Sequence, residues 1–556
     1  MSRKEKVLVV LGWVATALVS IKSIFMDFGV DNAYQLAMSY RHLQGDKMFL
    51  EMWEPHQTSI FVNDFLMWVY RLFVPSFEGV AIYIQVMGTI LMLAVALVLY
   101  KTLKGRVGDF VLQFMCMGIV LFRVKQTPGI EFSNLFIAFS VLLFCTLMTW
   151  LNHKNQVRWI LCLGILNFLQ VLTYPSSVLI SIIISIIVLK ESSYKIRDFL
   201  AFAATNIALF GTYITYFLIT IGPATLLQCF TKILQGDTHY DGTYREGFFC
   251  NFPQAIILLG VSASIGLIYG IANHFIAKGK LVASPIEIGI LSAIVLDIAM
   301  VYEQRRTHLD FDRVIYIIPL AVILLSIAFY RNMDSGDRRL WIIGLIISVA
   351  TFFSVMLLTD TALLTQVPYL ILGGMVSLVP ISKSAKRAHS IIVLIIALIL
   401  CHRALVVAGY GNLGQKVIMT HEAENIVHKG PTIGIICDRE NVLRAQEGYE
   451  DFQQYVETDD IVLVLSKDLY PLDSAVYMFG GHIANHSTMC FQYDNAVLTD
   501  YFAINPHKYP TVIAVACAYG NMQVNLDGYA MKWVNDHFTP VAEGKFWKFY
   551  RPNEAD

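Results

Sequence analysis

The sequence predicts a polytopic α-helical membrane protein with a small α/β domain at its C-terminal end. Three observations lead there. Of 556 residues, 56% are apolar and 15% charged, where a soluble domain runs about 45–50% and about 25%. Apolar runs of roughly 20 residues recur from Val7 to Ala408, each long enough to cross a bilayer core of about 30 Å. The charge is also divided. Behind a net charge of −1, residues 411–556 hold 10 basic and 19 acidic residues, leaving 31 and 23 in the apolar part.

This composition excludes several classes. The chain is far too apolar to be disordered. It has no basic block and no aromatic-basic interleaving of the kind that binds nucleic acid. Nine Cys in 556 residues, with no C-x-x-C pair, argue against a disulfide scaffold and against structural zinc. Most of the Cys sit in apolar runs, where a thiol is a small hydrophobe.

In chain order, spans are expected near 6–25, 80–100, 107–123, 131–150, 157–173, 176–189, 199–220, 253–275, 285–302, 313–330, 339–358, 366–382 and 388–408, about thirteen in all. One further run, 59–74, is short and carries Asp64 and Arg71. Charges inside a span are costly, so an amphipathic helix lying along the interface fits it better. The basic loops agree. If 59–74 does not cross, the N-terminus and the segments KTLKGR (101–106), NHKNQVR (152–158), KESSYKIR (190–197), AKGK (277–280), RNMDSGDRR (331–339) and SKSAKR (382–387) all fall on the cytoplasmic side. That is the expected basic bias, and counting 59–74 as a span inverts every one. Loops 26–79, 124–130, 221–252 and 303–312 then lie outside, as does the acidic tail. The N-terminal run resembles a signal peptide but reads as an uncleaved anchor, because many spans follow.

Residues 1–408 thus form a membrane domain and 409–556 an extracytoplasmic α/β domain. In the tail, 431–437, 460–466 and 512–520 have the short β-branched pattern of buried strands. Segments 447–457 and 527–538 have helical periodicity, and 543–551 alternates like a last strand. Strands alternating with helices predict a mostly parallel sheet. GYGNLG (409–414) lacks a preceding strand and reads as a linker. Asn485-His-Ser matches a glycosylation acceptor pattern.

The outer loops hold the candidate chemistry. Loop 26–58 contains Asp27, Asp31, Asp46, Glu51, Glu54 and His56, with Asp31, Tyr34 and Met38 on one helical face. The plain alternative for Asp31 is a helix N-cap. Glu131 stands at the mouth of the next span, where capping is again the alternative. Loop 221–252 carries Asp237, His239 and Arg245. Such long irregular loops are often functional. Arg305 and Arg306 sit in an outer loop, and paired guanidiniums suit a phosphate. Their alternative is pairing with Glu303 or Asp310. Lys125 is a further outer cation.

Asp31-x-x-Tyr34-x-x-Ala37, then Gly45-Asp46, then Glu54-Pro55-His56 resembles the opening of the GT-C integral-membrane glycosyltransferases. Protein O-mannosyltransferases and lipid A aminoarabinose transferases share that pattern, and the closer subset is bacterial. The match is specific over about 31–75 and architectural elsewhere. The resemblance implies a polyprenyl-phosphate-linked sugar donor, a glycan, lipid or protein acceptor on the outer face, and inversion at the anomeric carbon. It gives Asp31 the role of general base, Glu131 that of a second acid near the donor, and Glu54 and His56 places in the cluster beside the active site. The usual Lys of that cluster is replaced by Pro55-His56. Metal-dependent relatives carry D-x-D in these loops. The loops of this chain are read as lacking that motif, so no metal is expected to be required, a divalent cation being the less favoured case.

The physical demands agree. A hydroxyl is a weak nucleophile and needs a carboxylate to take its proton. A leaving lipid phosphate needs fixed cations, which Arg305, Arg306, Lys125 or Arg245 supply. The rival reading is a transporter or lipid-linked sugar flippase. Transport sites lie mid-span in repeated halves, whereas the polar residues here cluster in outer loops and no half-to-half similarity is seen. Asp297 is the main exception. A non-catalytic relative acting in surface polymer assembly is a third possibility.

Overall fold

The computed structural model describes residues 1–121, 127–154, 156–234, 252–276, 317–330, 333–356, 366–383, 410–413, 416–419, 422–467, 475–489, 497–517 and 528–553, with isolated positions between 285 and 296. The spans expected at 285–302 and 388–408 lie mostly or wholly outside these residues.

In chain order the helices of the membrane part are α1 (Arg3–Met26), α2 (Val30–Leu43), α3 (Phe61–Arg71), α4 (Val80–Leu103), α5 (Asp109–Leu121), α6 (Phe132–Asn152), α7 (Val157–Thr173), α8 (Val178–Glu191), α9 (Lys195–Thr220), α10 (Pro223–Leu234), α11 (Phe252–Phe275), α12 (Ile317–Ala328), α13 (Ser335–Met356) and α14 (Ile371–Lys383). Among the described residues, α1, α4, α6, α9 and α13 are long and apolar enough to cross a membrane. Their apolar side chains point outward as well as inward. Val10, Leu18, Leu97, Ile207 and Ile214 are all exposed, as suits side chains facing lipid tails rather than water.

Helix α3 has 11 residues, about 16 Å at 1.5 Å per residue, too short to span. It buries Asn63, Leu66 and Met67 and exposes Phe65 and Trp68, with Leu72 and Phe73 exposed just beyond it. Three of the basic segments meet through Glu191. Glu191 at the end of α8 pairs with Lys154 at 3.9 Å and also with Arg339 of α13. Lys154, Glu191 and Arg339 therefore lie together.

The tail begins with an antiparallel hairpin, β1 (Tyr410–Leu413) and β2 (Lys416–Met419), so GYGNLG contributes a strand rather than a simple linker. Next come β3 (Asn425–Ile426), β4 (Ile436–Cys437) and α15 (Arg439–Tyr455). They are followed by β5 (Ile461–Leu465), β6 (His482–Ile483), α16 (Val497–Ile504), β7 (Val512–Ala516), α17 (Tyr529–His537), β8 (Phe538–Glu543) and β9 (Trp547–Pro552). The five-stranded sheet has the order β6-β5-β7-β9-β8. β6, β5 and β7 are parallel, and β9 and β8 are antiparallel. The expected mostly parallel sheet is therefore mixed. Pro540, which cannot donate to a ladder, sits on edge strand β8 beside a register shift. Helix α15 starts eight residues before the expected 447, because Asp438 accepts the Asn441 N–H at 3.0 Å and caps it.

The expected strand at 431–437 shrinks to the two residues of β4. Gly430 and Gly434 take left-handed backbone at φ 83° and 92°, which breaks an extended run. The Gly430 and Pro431 carbonyls accept the Gly79 and Ala81 N–H groups, each at 3.1 Å. The tail thereby satisfies donors that the first turn of α4 leaves open. Asn485 is wholly buried. Its amide donates to the Val464 carbonyl and accepts the Val464 N–H, both at 2.9 Å. It continues the β5–β6 pairing, so the folded chain does not offer it for glycosylation.

Candidate functional site

Helix α2 opens at Gly29, whose carbonyl accepts the Asn32 and Ala33 N–H groups at 3.1 and 3.2 Å. Gly29 is thus the cap, and the capping alternative for Asp31 does not hold. Asp31 lies buried in the first turn, where the positive helix end favours a carboxylate. Glu131 occupies the N-cap position of α6, yet its side chain makes no capping hydrogen bond. It too is fully buried.

The starts of α2 and α6 abut. A Cβ on Gly129 would fall 1.4 Å from the Asn32 amide nitrogen, and one on Gly29 would fall 2.9 Å from Thr127. The connecting loop is pinned from three sides. Asn134 donates to the Thr127 and Gly129 carbonyls at 3.0 Å, and Asn63 donates to Ile130 at 2.7 Å. Gly88 of α4 comes so close that a Cβ there would lie 2.1 Å from the Pro128 carbonyl.

Aromatic rings gather around this junction. Tyr34 meets Phe132 edge-on with centroids 6.5 Å apart. His56, half-buried, stacks on Phe132 at 3.8 Å and 5°. Tyr174 closes on both, and its hydroxyl lies 3.4 Å from that of Tyr369. Tyr369 in turn lies within electrostatic reach of Glu131. The turn carrying His56 is fixed by Ser59, which donates to the His56 carbonyl at 2.7 Å and bonds Gln35 of α2 at 2.9 Å. Burial pushes the Tyr34 hydroxyl well above its ordinary pKa, and Glu54 adds to the effect. At neutral pH Tyr34 therefore keeps its proton, and its buried hydroxyl meets no hydrogen-bond partner among the described residues.

Glu54 has a different setting. It is fully buried and accepts from four groups. Arg41 Nη1 approaches at 3.3 Å, Ser487 Oγ at 2.7 Å, and the Thr488 N–H and Oγ1 at 2.6 and 3.1 Å. Burial pushes its carboxyl up, and Arg41 with the hydrogen bonds offsets only part of that. Arg41, with no exposed surface, also holds Asp46 at 2.8 Å and the Glu51 carbonyl at 2.7 Å. Asp46 further pairs with Lys508. Glu51 bonds His507 at 2.9 Å, and its carbonyl accepts from Tyr501 at 2.7 Å. The segment that follows α2 and the tail are thus joined by one buried charged network.

His486 belongs to this junction. Burial, and then the charge of Arg41, push its pKa down to about 3. The folded state keeps it neutral while the unfolded chain protonates it below about 6.5. The unfolded state therefore binds more protons between these values, and stability falls as pH falls through that window. We expect the thermal midpoint to drop between pH 6.5 and 4, and His486→Gln to flatten that drop. Parallel curves for both proteins would remove His486 as the cause.

Of the residues singled out from sequence, Asp31, Tyr34, Glu131 and His56 converge, with Glu54 behind Tyr34. Lys125, Asp237, His239, Arg245, Arg305 and Arg306 lie outside the described residues, as does Asp297. Loop 303–312 contains Asp310-Phe311-Asp312, a D-x-D spacing. The expectation of metal independence loses that part of its basis, and these residues too lie outside the described ones. Among the described residues no three His, Cys, Asp or Glu side chains are grouped to hold a metal. Sequence reasoning missed Arg41, Tyr174, Tyr369, Ser487 and Thr488. For Arg41 a signal existed, seven residues after Tyr34 on the same face of α2.

No protein-family model matches the chain, and no curated protein matches it. Among solved structures it is similar to the oligosaccharyltransferase AglB from Archaeoglobus fulgidus, in complex with an inhibitory peptide and a dolichol-phosphate. The identity is 11% and the TM-score 0.43, over 100% of this chain and 75% of that one. It is also similar to ArnT from Cupriavidus metallidurans in the apo state, at 11% identity and TM-score 0.42 over 98% of each chain. For ArnT bound to undecaprenyl phosphate the values are 12% and 0.40, over 99% of this chain and 98% of that one.

Proposed function

We propose that the chain is a glycosyltransferase moving a sugar from a polyprenyl-phosphate donor to an acceptor hydroxyl on the outer face of the cytoplasmic membrane, in assembly of an envelope or surface glycan. One observation carries the reading. Two buried carboxylates, Asp31 and Glu131, stand at abutting helix starts, and neither is spent on capping its helix. Tyr34 and the His56–Phe132 stack flank them.

In this reading Asp31 takes the proton of the acceptor hydroxyl. The acceptor oxygen bonds to the anomeric carbon from the face opposite the phosphate. The bond from that carbon to the phosphate oxygen breaks, its electron pair leaves with the lipid phosphate, and the configuration inverts. Glu131 lies near the donor. Arg305 and Arg306 hold the phosphate, while Lys125, Asp237, His239 and Arg245 are further substrate contacts. A divalent cation is not part of the proposal, and Asp310 and Asp312 are the carboxylates to examine if one proves necessary.

The test is an assay of the purified protein in nanodiscs with labelled polyprenyl-phosphate sugars. Release of polyprenyl phosphate together with a glycosylated acceptor supports the reading. Movement of the intact lipid-linked sugar across a vesicle bilayer, without cleavage, favours the transporter reading. In the same preparation, Arg305→Ala with Arg306→Ala is expected to weaken polyprenyl-phosphate binding at least tenfold. Each charged hydrogen bond is worth about 1.5–3 kcal/mol. Unchanged affinity would remove the phosphate role of this pair.

A further inference from the structure

The chain entering α3 is hydrogen-bonded to α2, to the entry of α6 and to the end of α7. Thr58 Oγ1 donates to the Leu172 carbonyl at 2.6 Å, two residues before Tyr174. Ser59 bonds Gln35 of α2 at 2.9 Å, one residue after Tyr34. Asp64, in the first turn of α3, lies 2.7 Å from Nδ1 of His42 in the last turn of α2. Asn63 donates to the Ile130 carbonyl at 2.7 Å, and Ile130 directly precedes Glu131. Residues 58–64 thus link the helix that carries Asp31 to the turn that presents Glu131.

Asn63 does more than fill space. It has no exposed surface, and its Oδ1 meets no hydrogen-bond partner among the described residues. A buried acceptor in that state costs stability. Its buried neighbours on α3, Leu66 and Met67, are apolar, so a leucine at 63 would suit that face better. What the amide provides is its donor. Residues 127–131 have no regular secondary structure, and the Glu131 side chain does not cap α6. Reacting groups must be held to within about 0.5 Å, so this turn depends on side chains from outside it. Asn63 reaches it from α3, on the peptide next to Glu131.

We propose that Asn63 is a positioning residue of the reaction centre. Helix α3 acts as a brace between α2 and the entry of α6, and through Asn63 it sets the spacing of Asp31 and Glu131. This rests on the reading of both carboxylates as groups of the transfer reaction.

Asn63→Leu keeps the branched shape and removes the donor. It is expected to lower kcat about 10–100-fold, the cost of misplacing a reacting group by about 1 Å. The thermal midpoint is expected to stay near that of wild type, with little change in KM for the lipid-linked donor. If the leucine protein does not insert, Asn63→Ser, too short to reach Ile130, carries the same expectation. A lower thermal midpoint with unchanged kcat per folded molecule marks a purely structural role and overturns the proposal. The spacing is also readable without turnover. Dicyclohexylcarbodiimide, an apolar carboxyl reagent, is applied to wild type and variant, and labelling of Glu131 relative to Asp31 is followed by peptide mass spectrometry. A changed ratio supports the brace, and an identical ratio overturns it. If wild type transfers no sugar while the ratio still differs, the glycosyltransferase reading fails and the brace stands.

Discussion

Asp31→Asn is expected to lower sugar transfer by about 10²–10⁴-fold, the range attributed to one well-placed general base. The substitution is nearly isosteric and removes only the ability to take a proton. Asp31 sits in the first turn of α2, where Gly29 already serves as cap. The helix therefore loses little, at most the fraction of a kcal/mol that a first-turn carboxylate gains from the positive helix end. The variant is expected to insert, to melt near the wild-type temperature, and to bind polyprenyl phosphate with wild-type affinity. Retained transfer in a correctly inserted Asp31→Asn protein would sink the assignment, leaving Glu131 as the remaining carboxylate of the junction.

Arg41→Ala is expected to have the largest effect on stability, about 3–5 kcal/mol. Removing one partner of a buried ion pair leaves the other uncompensated, and here Asp46 and Glu54 are both affected. The Glu51 carbonyl also loses a donor. We expect the tail to loosen from the segment that follows α2, seen as faster proteolysis around 482–489 and a lower melting temperature. Arg41→Lys is expected to fall between, because an ammonium keeps the charge but not the fork that reaches Asp46, Glu54 and the Glu51 carbonyl together. A loss below about 1 kcal/mol would mean that the apolar contacts of Trp53 and Tyr501 hold the junction.

The membrane helices were legible because lipid imposes a rule on composition that needs no partner. The described spans fall within a few residues of the apolar runs. Helix α3 was legible for the same reason, with Asp64 and Arg71 marking a segment unfit for the bilayer core. In the tail the rule weakens. PTIGIIC reads as a strand by composition, but α4 needs carbonyls at its start and two left-handed glycines turn the segment toward it. Asp438 was overlooked as a cap because the residues after it are polar and the apolar periodicity begins later. The site was half legible. Asp31, Tyr34 and His56 belong to one local pattern, whereas Ser487 and Thr488 are polar residues in an unremarked loop. Their meaning comes from Glu54, more than 430 positions away.

That separation has a consequence for how the molecule is made. Ser487 follows Glu54 by 433 residues, so at 5–20 residues per second the loop waits roughly 20–90 s for its partners. During that interval Arg41, Asp46 and Glu54 have been made without the groups that later enclose them. Closure of the junction around Glu54 is therefore among the last events of biogenesis. A chain stopped short of 482 is expected to insert its early helices and still leave the segment 44–60 open to proteases.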